Sequence, residues 1–272
     1  MLVFPNAKIN IGLNVVSRRS DGYHNLETFF YPIPLCDILE FIPAQKTDLT
    51  IIGTPISGNI ELNLVMRAYQ LLRNNFKLPN LSICLQKKIP MGAGLGGGSS
   101  DAAFMLKALN TYFDLQLSEL QLENYAAQLG ADCPFFIRNA PTLATGIGNE
   151  FTPINISLTD WYIILVKPNI HISTAEAYAH VSPSPWEIPL KEALHSPIQK
   201  WQQTIQNDFE NSCFSAYPIL PKIKQKLYDA GAVYAAMSGS GSTMYGLFKD
   251  EPKTTKLNMN EITDTCFCLK LN

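Results

Sequence analysis

The period of the apolar positions changes several times along the chain, and each change marks an element. Ile9, Ile11, Leu13 and Val15 alternate with Lys8, Asn10, Gly12 and Asn14, the period of two of a half-buried strand with one polar face. Lys8 and Asn10 are neighbours on that polar face, where solvent exposure at a sheet edge and presentation to a ligand are both open. Arg18 to Gly22 reads as a tight turn with the Asp-Gly signal of a hairpin, and Tyr23 and His24 lead into a strand over 26–31. Strands follow over 38–42, 49–52 and 81–89, with an amphipathic helix from Asn63 to about Phe76 between the last two. Ser118 and Gln121 form a capping box for a helix over 118–129, which Gly130 stops.

Past Phe151 the composition shifts. Trp161 to Lys167 is an apolar strand ended by Pro168, and Thr174 is placed to cap a short helix. The proline-rich stretch 183–197 reads as loop with a helical turn, and Asn207 to Glu210 lies on a helix. Pro221 to Ala230 forms another helix, closed by Gly231. Strands over 232–237 and 243–248 flank Ser238-Gly239-Ser240-Gly241-Ser242, which is either a plain hairpin turn or a close backbone approach to phosphates.

The densest local signal is Pro90-Met-Gly-Ala-Gly-Leu-Gly-Gly-Gly-Ser-Ser-Asp-Ala-Ala103. It holds five glycines in seven residues: Gly92, Gly94, Gly96, Gly97 and Gly98. Ser99 and Ser100 follow as candidate N-cap hydroxyls of a helix over 100–111. Strand, glycine turn and helix N-terminus together make an anion site, because free N–H groups and the helix dipole converge there. No Gly-Lys-Ser/Thr ending is present, which excludes a Walker-type loop. The helix is followed by a second helix, not by a strand ending in an acidic residue, which argues against a dinucleotide fold. A phosphate cradle of this kind needs a cation from elsewhere in the chain. Asp132, between Gly130-Ala131 and Cys133-Pro134-Phe135-Phe136, is either a cap or a carboxylate aimed into a cleft, and on the residues alone the cap is the plainer reading.

Composition narrows the setting. The 272 residues are 46% hydrophobic and 16% charged, enough for one large or two modest ordered domains. A net charge of -2 without basic runs argues against a nucleic-acid partner, and no stretch is long enough to span a membrane. The N-terminus lacks the regions of a signal peptide, and the six scattered cysteines fit reduced, buried thiols, so a cytoplasmic location is expected. Cys266 and Cys268 read as a same-face strand pair. No protein-ligated metal site is expected.

Three stretches, 5–10, 90–100 and 236–242, resemble in order and spacing the three signature motifs of the GHMP kinases. Within that superfamily, Asp21-Gly22-Tyr23-His24, Gly130-Ala131-Asp132-Cys133-Pro134, Ala144 to Gly148 and Asn207 to Glu210 are similar to the branch that phosphorylates a cytidine diphosphate-linked methylerythritol in the non-mevalonate route to isoprenoid precursors. The likeness runs from Pro5 to Phe248. It implies an α+β, two-domain fold: a domain over 1–152 like ribosomal protein S5 domain 2, which binds ATP, and a ferredoxin-like substrate domain over 153–272. It also implies an ATP- and Mg²⁺-dependent enzyme acting on a small-molecule substrate, a monomer or weak homodimer. By the same likeness Lys8 and Asp132 are the catalytic pair, and the glycine stretch with Ser99 and Ser100 is the ATP-phosphate site. Asn63 and Lys87 would contact the nucleotide's base or ribose. Asn10 and Thr174 would meet the substrate, and its cytosine would be held by Tyr23 and Tyr178 through stacking and by His24 through hydrogen bonds. His171, His180 and His195 match no motif and are expected at the surface; Trp161, Trp186 and Trp201 are expected to pack. Residues 183–206 match nothing in the family pattern.

Two rivals remain at this level. A different GHMP kinase would phosphorylate an alcohol lacking cytidine, and a nucleotide-binding sensor would keep the cradle without the lysine–aspartate pair.

Overall fold

A computed structural model describes residues 1–54, 59–179, 181–253 and 265–271. Among these, the strands in chain order are β1 (Leu2–Val3), β2 (Asn6–Arg18), β3 (His24–Cys36), β4 (Ile38–Pro43), β5 (Asp48–Gly53), β6 (Leu81–Lys87), β7 (Thr142–Thr145), β8 (Glu150–Pro153), β9 (Tyr162–Lys167), β10 (Tyr234–Met237), β11 (Met244–Phe248) and β12 (Thr265–Lys270). The helices are α1 (Leu64–Asn75), α2 (Gly97–Tyr112), α3 (Glu119–Ala127), α4 (Phe135–Arg138), α5 (Thr174–Tyr178), α6 (Leu190–Leu194), α7 (Ile198–Thr204), α8 (Phe209–Ala216) and α9 (Ile219–Asp229). The chain forms two compact units that interleave in sequence. The first holds 1–8, 35–91 and 96–140, and the second 9–34, 92–95 and 141–272.

In the first unit a sheet runs β1-β4-β6-β5, antiparallel except for the parallel β5–β6 pair. The strict alternation of β6, with Leu81, Ile83 and Leu85 buried, supplies the apolar face that α1 and α2 need. Asn63 caps α1 by accepting from the Val65 N–H, worth about 1 kcal/mol, and the Ser118–Gln121 capping box forms as expected.

The second unit contains the sheet β2-β3-β7-β8 and the antiparallel sheet β10-β11-β9-β12. Leu220, Ile223 and Leu227 of α9 and Phe209 and Cys213 of α8 close a core with Ile164, Val166, Met237, Met244 and Phe248 from the second of these sheets.

The polar face of β2 is not exposed: Lys8, Asn10 and Asn14 are 3%, 4% and 2% accessible. The reason along the second unit's part of the strand is a covering segment that matches no motif before Asn207. Leu13 donates its N–H to Gln206 O, Asp208 donates to Leu13 O, and Ser184 donates to Val15 O. Asp208 in turn accepts from the Val15 N–H, the Asn14 amide and the Trp186 indole. Leu190 and Ile205 side chains lie 2.8 Å from where a Cβ on Gly12 would stand, so Gly12, at φ +70, has to be glycine. Residues 184–208 thus lie over β2.

Three local expectations are corrected. Gly96, at φ 70, is the N-cap of α2, which starts at Gly97, so Ser99 and Ser100 lie inside the first turn and cap nothing. Ser173, not Thr174, caps α5 through its hydroxyl. Cys266 and Cys268 share one face of β12 as expected, but that face is exposed, and β12 is an edge strand; Cys133 and Cys213 are buried. His171 and His195 are exposed, while His180 lies outside the described residues. Trp161 and Trp201 are buried.

Candidate active site

In the first unit, the N-terminus of α2 gathers most of the chemistry. The first N–H groups of a helix have no intrahelical acceptor and carry the positive end of the dipole. Those of Gly97, Gly98 and Ser99 stand at that end, whereas Ser100 donates back to Gly96 O. Glycine is required here for packing as well as for approach. A Cβ on Gly96 would fall 2.9 Å from Phe136 and 3.2 Å from Cε of Lys8, and one on Gly97 would fall 2.9 Å from Ile89. The Lys8 stem therefore runs directly against the helix start.

Lys8 Nζ lies 3.7 Å from Asp132 Oδ2, with side chains 4% and 37% accessible. Burial lowers the Lys8 pKa from its ordinary value, and Asp132 partly restores it. Asp132 does not cap α4: the N-cap is Pro134, and no side chain bonds there. The carboxylate stands in the turn before α4, half-exposed beside a buried ammonium. Two asparagines brace the pair from behind. Asn6 and Asn139 exchange side-chain hydrogen bonds at 3.1 and 2.6 Å, tying the start of β2, two residues before Lys8, to the left-handed end of α4. The Asn-Asn brace is invisible to local sequence patterns, because its members are 133 residues apart.

Asn63 stands next to Leu64, whose methyl lies 3.6 Å from the Cβ position of Gly98, and its Oδ1 serves the α1 cap. Lys87 is fully buried, its ammonium held by Asp37 and, at 2.7 Å, by Asp101.

The second unit holds the other expected residues. Asn10 donates its backbone N–H to Ser238 Oγ and its amide to Thr28, and accepts from the Tyr245 hydroxyl. Ser238 Oγ donates to Gly94 O at 2.8 Å, and a Cβ on Gly94 would sit 1.9 Å from Ser238 O. Asn207 donates to both Met237 O and Gly239 O, which fixes the Ser238–Ser242 turn from below. That turn therefore grips the glycine stretch at Gly94. His171 lies beside Gly92, 2.9 Å from its Cβ position. His24 and Tyr178 stack with centroids 4.8 Å apart and planes 19° from parallel, and Tyr178 meets Phe209 edge-on at 4.7 Å. Tyr23 is 62% exposed on its turn, and Thr174 is exposed at the start of α5. The structure thus joins His24 to Tyr178 and leaves Tyr23 outside that stack.

Arranged this way, the first unit offers an anion-binding helix end with a lysine–aspartate pair beside it. The second unit offers a flat aromatic surface of the kind that takes a heterocyclic base.

Comparison with known proteins shows the family. The family model described as GHMP kinases N terminal domain matches residues 63–139, and that for the GHMP kinases C terminal matches 190–260. The 4-diphosphocytidyl-2-C-methyl-D-erythritol kinase of Bacteroides fragilis is 52% identical over 274 residues, covering 99% of this chain and 98% of that one. The enzyme of the same name from Parabacteroides distasonis is 51% identical, covering 98% and 97%. A crystal structure of 4-(cytidine 5'-diphospho)-2C-methyl-D-erythritol kinase superposes with a TM-score of 0.85 at 30% identity, covering 98% of each chain. Mevalonate kinase shares the fold, with a TM-score of 0.74 at 15% identity over 100% of this chain and 99% of that one.

Proposed function

The chain belongs to the 4-diphosphocytidyl-2-C-methyl-D-erythritol kinases, a branch of the GHMP kinases, and from that membership we propose that it moves the γ-phosphoryl group of ATP to the 2-hydroxyl of 4-diphosphocytidyl-2-C-methyl-D-erythritol, with Asp132 and Lys8 as its catalytic pair. It is an ATP-dependent small-molecule kinase of α+β GHMP fold. The observation that carries the residue assignment is the buried Lys8 ammonium 3.7 Å from the accessible Asp132 carboxylate, with the Lys8 stem against the N-terminus of α2.

Phosphoryl transfer is positioning plus charge stabilisation, with little covalent work for the protein. The N–H groups of Gly97, Gly98 and Ser99 would receive the phosphate oxygens. Asp132 would orient the acceptor hydroxyl and take its proton as the bond to phosphorus forms. Lys8 would keep Asp132 ionised and offset charge on the transferring group. Asn63 would serve the base or ribose of the nucleotide. The stacked His24–Tyr178 pair would hold the cytosine, with Asn10, Tyr23 and Thr174 as further substrate contacts.

Among the described residues no group of three or more His, Cys, Asp or Glu side chains can hold a metal. Mg²⁺ would take one or two hard oxygen donors from protein and the rest from phosphates and water. The Ser100 hydroxyl, buried with no hydrogen-bond partner, and that of Ser99 are such donors at the helix start and would hold it. When bound, the ion would supply charge neutralisation on the β- and γ-phosphates.

A mass-resolved assay with ATP and Mg²⁺, in which only the cytidyl substrate gains one phosphate, tests the substrate. Mevalonate phosphorylated instead would overturn the role given to His24 and Tyr178.

A further inference from the structure

The turn between β2 and β3 carries a side-chain network centred on Arg19. Arg19 Nε donates to both Asp21 carboxylate oxygens, at 3.2 and 3.0 Å, and Nη2 lies 2.9 Å from Oδ2. Its Nη1 donates to Asn25 Oδ1 at 3.1 Å. Asp21 Oδ1 in turn accepts the Tyr23 N–H at 3.0 Å, and the Arg19 N–H donates to Tyr23 O at 2.8 Å. Asn25 is tied back to β2 by donating to Ser17 Oγ at 3.0 Å. Asp21 and Asn25 flank Tyr23-His24 in sequence, so one side chain holds the turn before and after His24.

Folding stability gains little from this network. The Arg19 and Asp21 side chains are 40% and 46% accessible, and an exposed ion pair is screened by water and costs side-chain entropy to order. What the network fixes is geometry. A guanidinium offers donors in a rigid planar fork and can hold two acceptors at set positions, which a lysine ammonium cannot. The part so held delivers the His24 ring to Tyr178, at 4.8 Å and 19° from parallel, and Tyr178 is itself braced by Phe209. The Arg19 charge is already matched by Asp21, with Glu150 nearby, so it is not an open cation awaiting a phosphate.

We propose that Arg19 is a positioning residue for substrate recognition, acting through Asp21 and Asn25 to hold His24 against Tyr178 in the orientation that receives the cytosine. This rests on the assignment of the His24–Tyr178 pair to the cytosine of the substrate. A histidine held in place presents its hydrogen-bonding edge with little freedom left to lose on binding. Loss of Arg19 therefore weakens capture of the cytidyl substrate and leaves phosphoryl transfer alone.

The test is steady-state kinetics of the full chain with ATP, Mg²⁺ and 4-diphosphocytidyl-2-C-methyl-D-erythritol, beside thermal unfolding. Arg19→Met is expected to raise KM for the cytidyl substrate about 5- to 20-fold, within the span over which members of one hydrogen-bond network couple. Its kcat and its KM for ATP are expected to stay close to wild type, and its melting midpoint within about 3 °C. Arg19→Lys keeps the charge but not the fork and is expected to recover little of the loss. In a His24→Ala background, Arg19→Met should add nothing, since its route to the substrate is gone. Full recovery by lysine, or losses that multiply in the double variant, would show a direct charge contact with the substrate and overturn the inference. So would an unchanged KM in Arg19→Met, or a raised KM accompanied by collapse of the melting midpoint. No transfer to the cytidyl substrate by wild type would overturn the proposed function and the inference together.

Discussion

At the scale of single residues, burial decides which polar groups can do chemistry. Asp132 is accessible and Lys8 is not, so in the proposed mechanism the carboxylate would meet the hydroxyl while the ammonium would act on the carboxylate and on charge nearby. Asp132→Asn is expected to lower kcat by about 10²–10⁴, the usual worth of a proton-accepting group, with ATP affinity retained. Single-turnover kinetics beside a binding titration would check this, and an unchanged kcat would remove Asp132 from the mechanism. Tyr178→Ala should raise KM for the cytidyl substrate about 10- to 100-fold, since stacking on one base is worth about 1–3 kcal/mol, while Tyr178→Phe keeps the ring and most of the affinity. Asp101 supplies a stability prediction of definite sign. Burial above all pushes its folded value up to about 7, above the ordinary carboxylate value, so the native state holds an extra proton between about pH 4 and 7. The stability contributed by the neutral form is complete below that window and is lost as pH rises through 7. Denaturant unfolding of Asp101→Asn against wild type should show the difference moving in the variant's favour by a few kcal/mol across the window.

At the scale of elements, the glycine stretch is held as tightly as it is shaped. Gly94→Ala would place a Cβ 1.9 Å from Ser238 O at φ +76, and a loss of about 3 kcal/mol or more is expected in a melting experiment. Gly98, whose Cβ position has only Leu64 at 3.6 Å, should tolerate alanine far better in the same measurement. Asn207→Ala would strip donors from two buried carbonyls, Met237 O and Gly239 O, at an expected cost of about 2 kcal/mol or more. These contacts show what was readable from sequence. The strand–glycine–helix order, the α3 capping box and the hairpin at Asp21-Gly22 are local, because period and turn chemistry act within a few residues. The burial of the polar face of β2 was not readable. At Gly12 and Asn14 it depends on residues 184–208, which meet β2 from about 170 to 195 positions away, and at Asn10 on Ser238 and Tyr245. Period two shows only that the two faces differ; it does not show what covers the second one. The start of α2 was misplaced for a related reason: serine is the usual N-cap, but here a left-handed glycine takes that place, which packing against Phe136 and Lys8 permits only to glycine.

At the scale of the whole molecule, the chain changes units within β2, between Lys8 and Ile9, and again within β3, between Pro34 and Leu35. The Lys8–Asp132 pair was legible as a family likeness, whereas the Asp37–Lys87–Asp101 cluster and the Asn6–Asn139 brace were not, since no spacing rule links their members. A net charge of -2 offers no general attraction for anionic ligands, so under the proposed function recognition would fall to the α2 N-terminus, Lys8 and the aromatic pair. The most direct measurement is a mass-resolved kinase assay offering 4-diphosphocytidyl-2-C-methyl-D-erythritol, homoserine and mevalonate in parallel to wild type and Asp132→Asn. One phosphate on the cytidyl substrate alone, lost in the variant, is the expected result. Transfer to mevalonate or homoserine, or full activity of Asp132→Asn, would contradict it.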